Sequence, residues 1–575
     1  MFIRPYFRTI NGKRRAYWAL VESYRTERGP RQRVVAHLGQ LDEAGRLGLK
    51  QAAEDGPRST QKKLFPEPEP EWIEVDASAV RVENCRQFGG PWLALELIKR
   101  LGLDRFFRET IPSGREDVPW SVMALVLVIA RLCEPSSELS IAENFSRKTA
   151  LPDLLGVPEE KVYDNRLYRA LDKLLPHKAE LEVFLKETLG ELFELEYDLL
   201  LYDVTSTYFE GEAKANPLAQ RGYSRDKRGD CKQVCIGLVV SRCGMPLGYE
   251  VFAGNRSDVT TMQKIVETME SRYGAADRIW VMDRGMISEE NIEFLKDGKR
   301  RYIVGTPKGM LKKFEQPLLD GDWHAIRDGL EVKRCVSPDG DAETFILCRS
   351  RDRGEKEKSL HQRFEQRIEK GLTKIQAGCE KRKCQSLVIA KRVGKLLGQN
   401  SRAAGLFDVD IKQRSDGGTD VTWTKKETWR DWAQLSEGCY LLRSNVTDWN
   451  DEELWQAYMQ LTEAEAAFRI HKSDLSLRPI WHQNEDRVLA HILVCFLAYV
   501  LWKMLGQMCR GAGLGDEPRR VLEELGELRV VDIVLPTRAG VEIRRRCITK
   551  PTDHQQILLH RLGRELPSKI KMNEM

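Results

Sequence analysis

Apolar and polar residues alternate from the N-terminus to about Glu43, in FRTINGKRRAYWALVESYRTERGPRQRVVAHLG, and a period of two marks half-buried strands. The Asn11-Gly12 pair between two such runs predicts a hairpin. Gln61 to Trp72, QKKLFPEPEPEW, has no period; its alternating Pro and Glu cannot build a core, so it reads as a linker. From Gly89 to about Glu196 the period becomes helical, in WLALELIKRLGL, WSVMALVLVIARL and LYRALDKLLPHKAELEVFLKETLGELF. The basic segment DNRLYRALDKLL admits either a helix-turn-helix, which would lay a helix in a major groove, or a plain helical bundle.

The pattern then changes. Leu199 to Val204, LLLYDV, is an apolar run of strand length with one acid, Asp203, and a carboxylate in a buried strand is costly without a partner or a metal. Two more strand-like runs come next, Val234 to Ser241 and Leu247 to Phe252, joined as a hairpin by the turn CGMP. Asp258 reads as the N-cap of a helix in VTTMQKIVETMESRYG, and a strand in RIWVMDRG carries Asp283 at its end. Strand, two-strand meander, helix and strand, with acids on the first and fourth strands, is the opening of an RNase H-like fold, in which the two acid-bearing strands lie side by side.

Helical period returns from Trp455, where Tyr458, Leu461, Glu465, Phe468 and Lys472 recur at three- and four-residue steps on one stripe. Such a stripe normally faces the interior. A Tyr, a Glu and a Lys along it therefore need either each other or a polar cavity holding something charged. Asp203, Asp283 and Glu465 in one place would repel one another and be stable only with cations between them, and hard oxygen ligands select Mg²⁺ or Mn²⁺.

The spacing Tyr458-x2-Leu461-x3-Glu465-x6-Lys472 resembles the Tyr-x2-Arg-x3-Glu-x6-Lys signature of a group of DDE transposases from bacterial insertion sequences, with Leu461 where the signature has Arg. The segments YDVTSTYFEG, GYSRDKRGDCKQVCIGLVV, GNRSDVTT, VMDRGM and LSLRPIWH resemble segments of those proteins in the same order. The resemblance implies metal-dependent cutting of DNA at element ends and joining of the freed 3′-hydroxyl to target DNA. It implies Asp203, Asp283 and Glu465 as catalytic residues holding two Mg²⁺ ions, for which Mn²⁺ can substitute, and two protomers bridging two ends. Tyr458, Lys472 and Arg478 are assigned to DNA binding with it. Arg469, one turn beyond Glu465 and rotated from it by about 40°, is the candidate to replace the missing arginine. A metal-dependent nuclease on the same fold, which cuts without joining, and a DNA-end-binding protein that has lost catalysis are the alternatives.

The expected architecture is α/β: an RNase H-like core of mixed sheet and helices, interrupted by a β-rich insertion and preceded by a small β module and a helical domain. Its boundaries are a basic β module at 1–50, a linker at 51–82, helices at 83–196, the core at 197–306 and 441–510 around an insertion at 307–440, and an accessory segment at 511–575. In the insertion Leu360, Phe364, Ile368, Leu372 and Ile375 form the stripe of a basic helix. Trp423 and Trp429 are there either to stack on an unpaired base or to fill a core.

Composition changes this picture little. With 575 residues, three or four modules are expected, and 41% hydrophobic residues suffice for real cores. A net charge of +5 is small for this length, so any basic DNA-binding surface is local. The 13 Cys include no Cys-x2-Cys pair, which argues for free thiols in a reducing cytosol rather than a zinc site. The first residues are charged throughout, without the apolar core of a signal peptide. The run His491 to Leu505 is shorter than the roughly 20 residues of a bilayer span and reads as a buried helix. A cytoplasmic protein acting at the nucleoid, with DNA as partner and no membrane, is the expectation.

Overall fold

A computed structural model describes residues 2–10, 13–26, 29–39, 73–340 and 342–568. The chain forms two compact units, Leu171–Val500 and a second made of Met1–Ala170 with Leu501–Met575. The linker expected at Gln61 to Trp72 lies outside the described residues.

In the unit of the two termini, β1 (Phe2–Ile10), β2 (Lys13–Thr26) and β3 (Gly29–Gly39) form an antiparallel meander. Ile10 pairs with Lys13, as a two-residue hairpin requires, although Asn11 and Gly12 themselves lie outside the described residues. A second sheet joins distant parts of the sequence. Strand β4 (Arg81–Gln87) pairs antiparallel with β16 (Arg529–Pro536), which pairs with β17 (Glu542–Ile548). The C-terminal segment thus completes a sheet begun before the helical region rather than standing apart. Arg546 on β17 bonds Asp532 at 2.7 Å and Asp153 at 3.0 Å, and Arg86 on β4 also reaches Asp153, a buried network that ties this sheet to the helix Leu151–Leu155. Gly89, at the start of the helix Gly89–Leu101, allows the close approach of the helix Pro518–Gly526, since a Cβ there would lie 1.8 Å from the carbonyl oxygen of Leu525.

The other unit is built on a nine-stranded mixed sheet. Its core strands are β5 (Leu199–Tyr208), β6 (Gln233–Ser241), β7 (Pro246–Ala253), β8 (Ile279–Met282) and β9 (Arg301–Gly305), in the order β7-β6-β5-β8-β9. Strands β5, β8 and β9 run parallel, while β6 and β7 are an antiparallel meander on the other side of β5. This is the RNase H-like arrangement. All nine residues of β6 are buried, as a strand covered on both faces demands. Leu200, Tyr202 and Val204 of β5 pack on one face against Ile265, Val266 and Met269 of the helix Met262–Tyr273. Each such aliphatic side chain contributes about 1.5–3 kcal/mol by leaving water. Alternation sends Asp203 to the opposite face, where the helix Leu461–Arg469 packs on β5 and β6.

The insertion divides into two parts. Strands β10 (His324–Arg327), β11 (Leu330–Val336) and β12 (Thr344–Ser350) extend the main sheet and reach β9 through β15 (Cys439–Ser444), all antiparallel. The remainder is mainly helical. The helices Arg351–Lys381 and Ser386–Gln399 pack with the hairpin of β13 (Phe407–Gln413) and β14 (Thr419–Lys425) around Ile368, Leu372, Ile389 and Val421. Trp423 and Trp429 pack against this core, with the Trp423 ring centroid 5.8 Å from that of Phe407. The helix Glu485–Gly511 is long and apolar enough to cross a bilayer, yet its apolar stretch is almost wholly buried.

Candidate active site

The site arises from strand register. Tyr202 on β5 pairs with Met282 on the parallel strand β8, so the next residues, Asp203 and Asp283, stand side by side where β8 ends. Asp283 is the first residue past β8 and precedes a single tight turn, Arg284–Met286. Glu465 comes from the helix Leu461–Arg469, and the three acids line one cleft of about 670 Å³.

Asp203 is half-buried, and the amide of Val204 donates to its Oδ1 at 2.7 Å. Burial pushes its carboxyl up to about 7, and the charges of Asp283 and Glu465 add to that rise while the Val204 amide and Arg225 oppose it. Burial and like charges therefore both oppose its ionisation, and a cation bound beside it would favour it. Three carboxylates lining one cleft are hard oxygen donors, the donor set that suits a divalent cation.

Tyr458 closes the Asp283 side. Its hydroxyl donates to Asp283 Oδ1 at 3.2 Å, and burial with the neighbouring Asp283 charge raises the phenol well above its ordinary range. Gly305, the last residue of β9, makes the room. A Cβ at that position would lie 2.3 Å from the Tyr458 hydroxyl oxygen.

The stripe predicted from Tyr458 to Lys472 holds for four of its five members. Tyr458, Leu461, Glu465 and Phe468 line the cleft, and Lys472 does not. The segment is two helices, Asp451–Met459 and Leu461–Arg469, continued by a π turn at Ile470–Asp474. A π turn has more residues per turn than an α-helix, so the 3.6-residue period that aims Lys472 at the cleft does not hold within Ile470–Asp474. The Lys472 ammonium bonds instead to Asp226 at 2.9 Å, and Arg478 binds the same carboxylate. Burial lowers the Lys472 pKa, with Asp226 acting against that shift. Arg469 is exposed and lies outside the cleft lining, so it does not fill the place of Leu461.

Asp258 is not the helix cap that its position predicts. The N-cap of the helix Met262–Tyr273 is Thr261, and Asp258 opens the 3₁₀ turn Asp258–Thr261 that precedes it. Its carboxylate pairs with Arg225 and lines the cleft with the other three acids. Other cleft residues that sequence reasoning missed are Arg327, Arg353, Tyr440 and Trp455. Arg225 stands in the segment SRDKRGD as a charge that the sequence leaves unexplained, while Asp258 in GNRSDVTT reads there as a helix cap. Arg327 and Arg353 have no sequence signal, because the fold brings them in from the insertion.

Acids meeting at the ends of adjacent parallel strands of an RNase H-like sheet, with a third from a helix across that sheet, are the arrangement that the resemblance to DDE transposases implies. Residues 194–501, more than half of the chain, match the family model described as transposase DDE domain, and residues 4–63 match the N-terminal domain of the IS1634 family of transposases. The chain therefore belongs to the DDE transposases of bacterial insertion sequences, and its function is DNA transposition. No curated protein matches it. Among solved structures, it resembles a piggyBac transposase in a cryo-EM synaptic complex with hairpin DNA, at 9% identity and a TM-score of 0.37, over 79% of this chain and 82% of that one.

Proposed function

We propose that the chain cuts DNA at the ends of its insertion sequence and joins the freed 3′-hydroxyl to target DNA, with Asp203, Asp283 and Glu465 as the catalytic acids. The observation that carries this reading is the pairing of Tyr202 with Met282, which sets Asp203 beside Asp283 in the cleft that also receives Glu465. The three acids would hold Mg²⁺, or Mn²⁺ in its place, and divalent ions bound there supply charge stabilisation to the attacking and leaving oxygens of phosphodiester transfer.

The chain's own residues prepare that site. Tyr458 orients the Asp283 carboxylate through its hydrogen bond. Arg225, fixed by Asp258, offsets part of the charge around Asp203. Lys472 and Arg478 act one step removed: by holding Asp226 they fix the loop after β5 that also carries Arg225. Phe468 and Leu461 form the apolar wall beside Glu465. The resemblance to insertion-sequence transposases supports two protomers acting on two synapsed DNA ends, in the cytoplasm.

The test is a strand-transfer assay with a donor plasmid carrying the element ends, a target plasmid and Mg²⁺. Joined products that begin at the donor 3′ ends are expected. Cutting at the ends with no joined product under any divalent metal would return the chain to the nuclease reading.

A further inference from the structure

The helix that delivers Glu465 brings no cation into the cleft. The residues that it and the short helix before it place in the cleft, from Trp455 and Tyr458 to Glu465 and Phe468, include no Lys or Arg, and Lys472 is turned to Asp226. Four carboxylates, Asp203, Asp258, Asp283 and Glu465, line a cavity that must admit a polyanion. Of the cations there, Arg225 is already paired with Asp258. Two remain, and both come from the insertion: Arg327 at the end of β10, and Arg353 in the first turn of the helix Arg351–Lys381.

These two guanidiniums are mounted alike. Arg327 lies over the ring of Trp455 at 5.0 Å, and Arg353 over the ring of Tyr440 at 4.8 Å. The two rings are joined, because the Trp455 indole N–H donates to the Tyr440 hydroxyl at 2.7 Å. Glu357 holds Arg353 by its Nε at 3.2 Å and is itself fixed by Lys308 at 2.7 Å. That leaves the terminal nitrogens of Arg353 without a hydrogen bond among the described residues. Arg327 is exposed and has no ion pair among them. A guanidinium stacked on an aromatic ring keeps its edge free, and that edge matches the oxygens of a phosphate.

We infer that Arg327 and Arg353, on the linked Trp455–Tyr440 platform, form a two-point clamp for the DNA backbone beside the catalytic acids, so that the insertion supplies the charge the glutamate helix lacks. Both are positioning residues, and the inference rests on the proposed catalytic role of the three acids.

The test measures binding of the full chain to a labelled duplex of the DNA flanking its coding sequence, over a range of salt concentrations without divalent metal. Arg327→Ala and Arg353→Ala should each reduce the slope of log affinity against log salt by about one, and the double variant by about two. Arg327→Lys keeps the charge and should keep the slope. Melting temperatures should stay at the wild-type value for Arg327→Ala, since that side chain has no ion pair to lose among the described residues. A double variant with the wild-type slope overturns the clamp even if the wild type cuts and joins element ends. Conversely, reduced slopes in these variants of a protein whose wild type neither cuts nor joins would uphold the clamp and sink the catalytic reading.

Discussion

The hydroxyl of Tyr458 donates to Oδ1 of Asp283 across 3.2 Å, and the absence of a side chain at Gly305 is what lets it approach. A hydrogen bond to a charged acceptor contributes about 1.5–3 kcal/mol when well buried, and less beside an exposed carboxylate such as Asp283. Tyr458→Phe should therefore slow end cleavage by roughly threefold to tenfold with DNA affinity unchanged. Gly305→Ala, which pushes the tyrosine ring away, should give a similar loss. A Gly305→Ala enzyme as fast as wild type would show that this contact does not orient Asp283.

Asp226 holds two cations on one carboxylate with its side chain only 5% exposed. Removing it strands Lys472 and Arg478. Asp226→Asn should lower the unfolding free energy by about 3 kcal/mol, as breaking a buried pair from one side does. Lys472→Met should cost less, because Arg478 still covers the acid. It should also leave the salt dependence of DNA binding unchanged, and a slope reduced by about one would instead put Lys472 on a phosphate.

His471 is buried beside Tyr499, with its Nδ1 2.8 Å from the carbonyl of Ala467, and burial depresses its pKa to about 4 from the ordinary 6.5. The unfolded chain therefore binds a proton that the folded chain refuses. The stability from this residue is complete above about pH 6.5 and is lost as pH falls towards 4, by up to about 3 kcal/mol. His471→Gln removes the titration, so the difference in unfolding free energy between variant and wild type should shift in favour of the variant on acidification from pH 7 to 4.5. A constant difference across that range would mean that His471 titrates alike in the folded and unfolded chain, so that burial does not depress it.

Much of the core is legible in the sequence because its signals are local. LLLYDV announces both a buried strand and an acid that has to be explained, and VMDRG does the same for the second acid. The pairing of their strands then comes from the order of elements. Sequence reasoning fails where a feature is set by a local irregularity or by distance. The π turn at Ile470–Asp474 carries no marker in the sequence, so an unbroken helical period places Lys472 in the cleft. Asp258 precedes a helix and has a capping residue's chemistry, but the chain enters through a 3₁₀ turn and frees its carboxylate for Arg225. Arg327 and Arg353 reach the site only because β10 to β12 extend the main sheet past β9 through β15. No periodicity within the insertion encodes that, nor the pairing of β16 with β4 across more than 400 residues.

The three acids repel one another in the absence of metal, and Asp203 is the one whose ionisation burial opposes. Asp203→Asn should therefore raise the melting temperature of the metal-free protein at pH 8 and reduce the further rise on adding Mg²⁺. A melting temperature lowered by this substitution would contradict the repulsion.

The central claim is that Asp203, Asp283 and Glu465 act together on the scissile phosphate. Its most direct test is the single-turnover rate of cleavage of a supercoiled donor plasmid in Mg²⁺ by Asp203→Asn, Asp283→Asn and Glu465→Gln, with end binding measured in parallel. Each variant should cleave at least roughly a hundredfold more slowly than wild type while binding end DNA about as tightly. A near-wild-type rate from any one of the three would contradict the assignment.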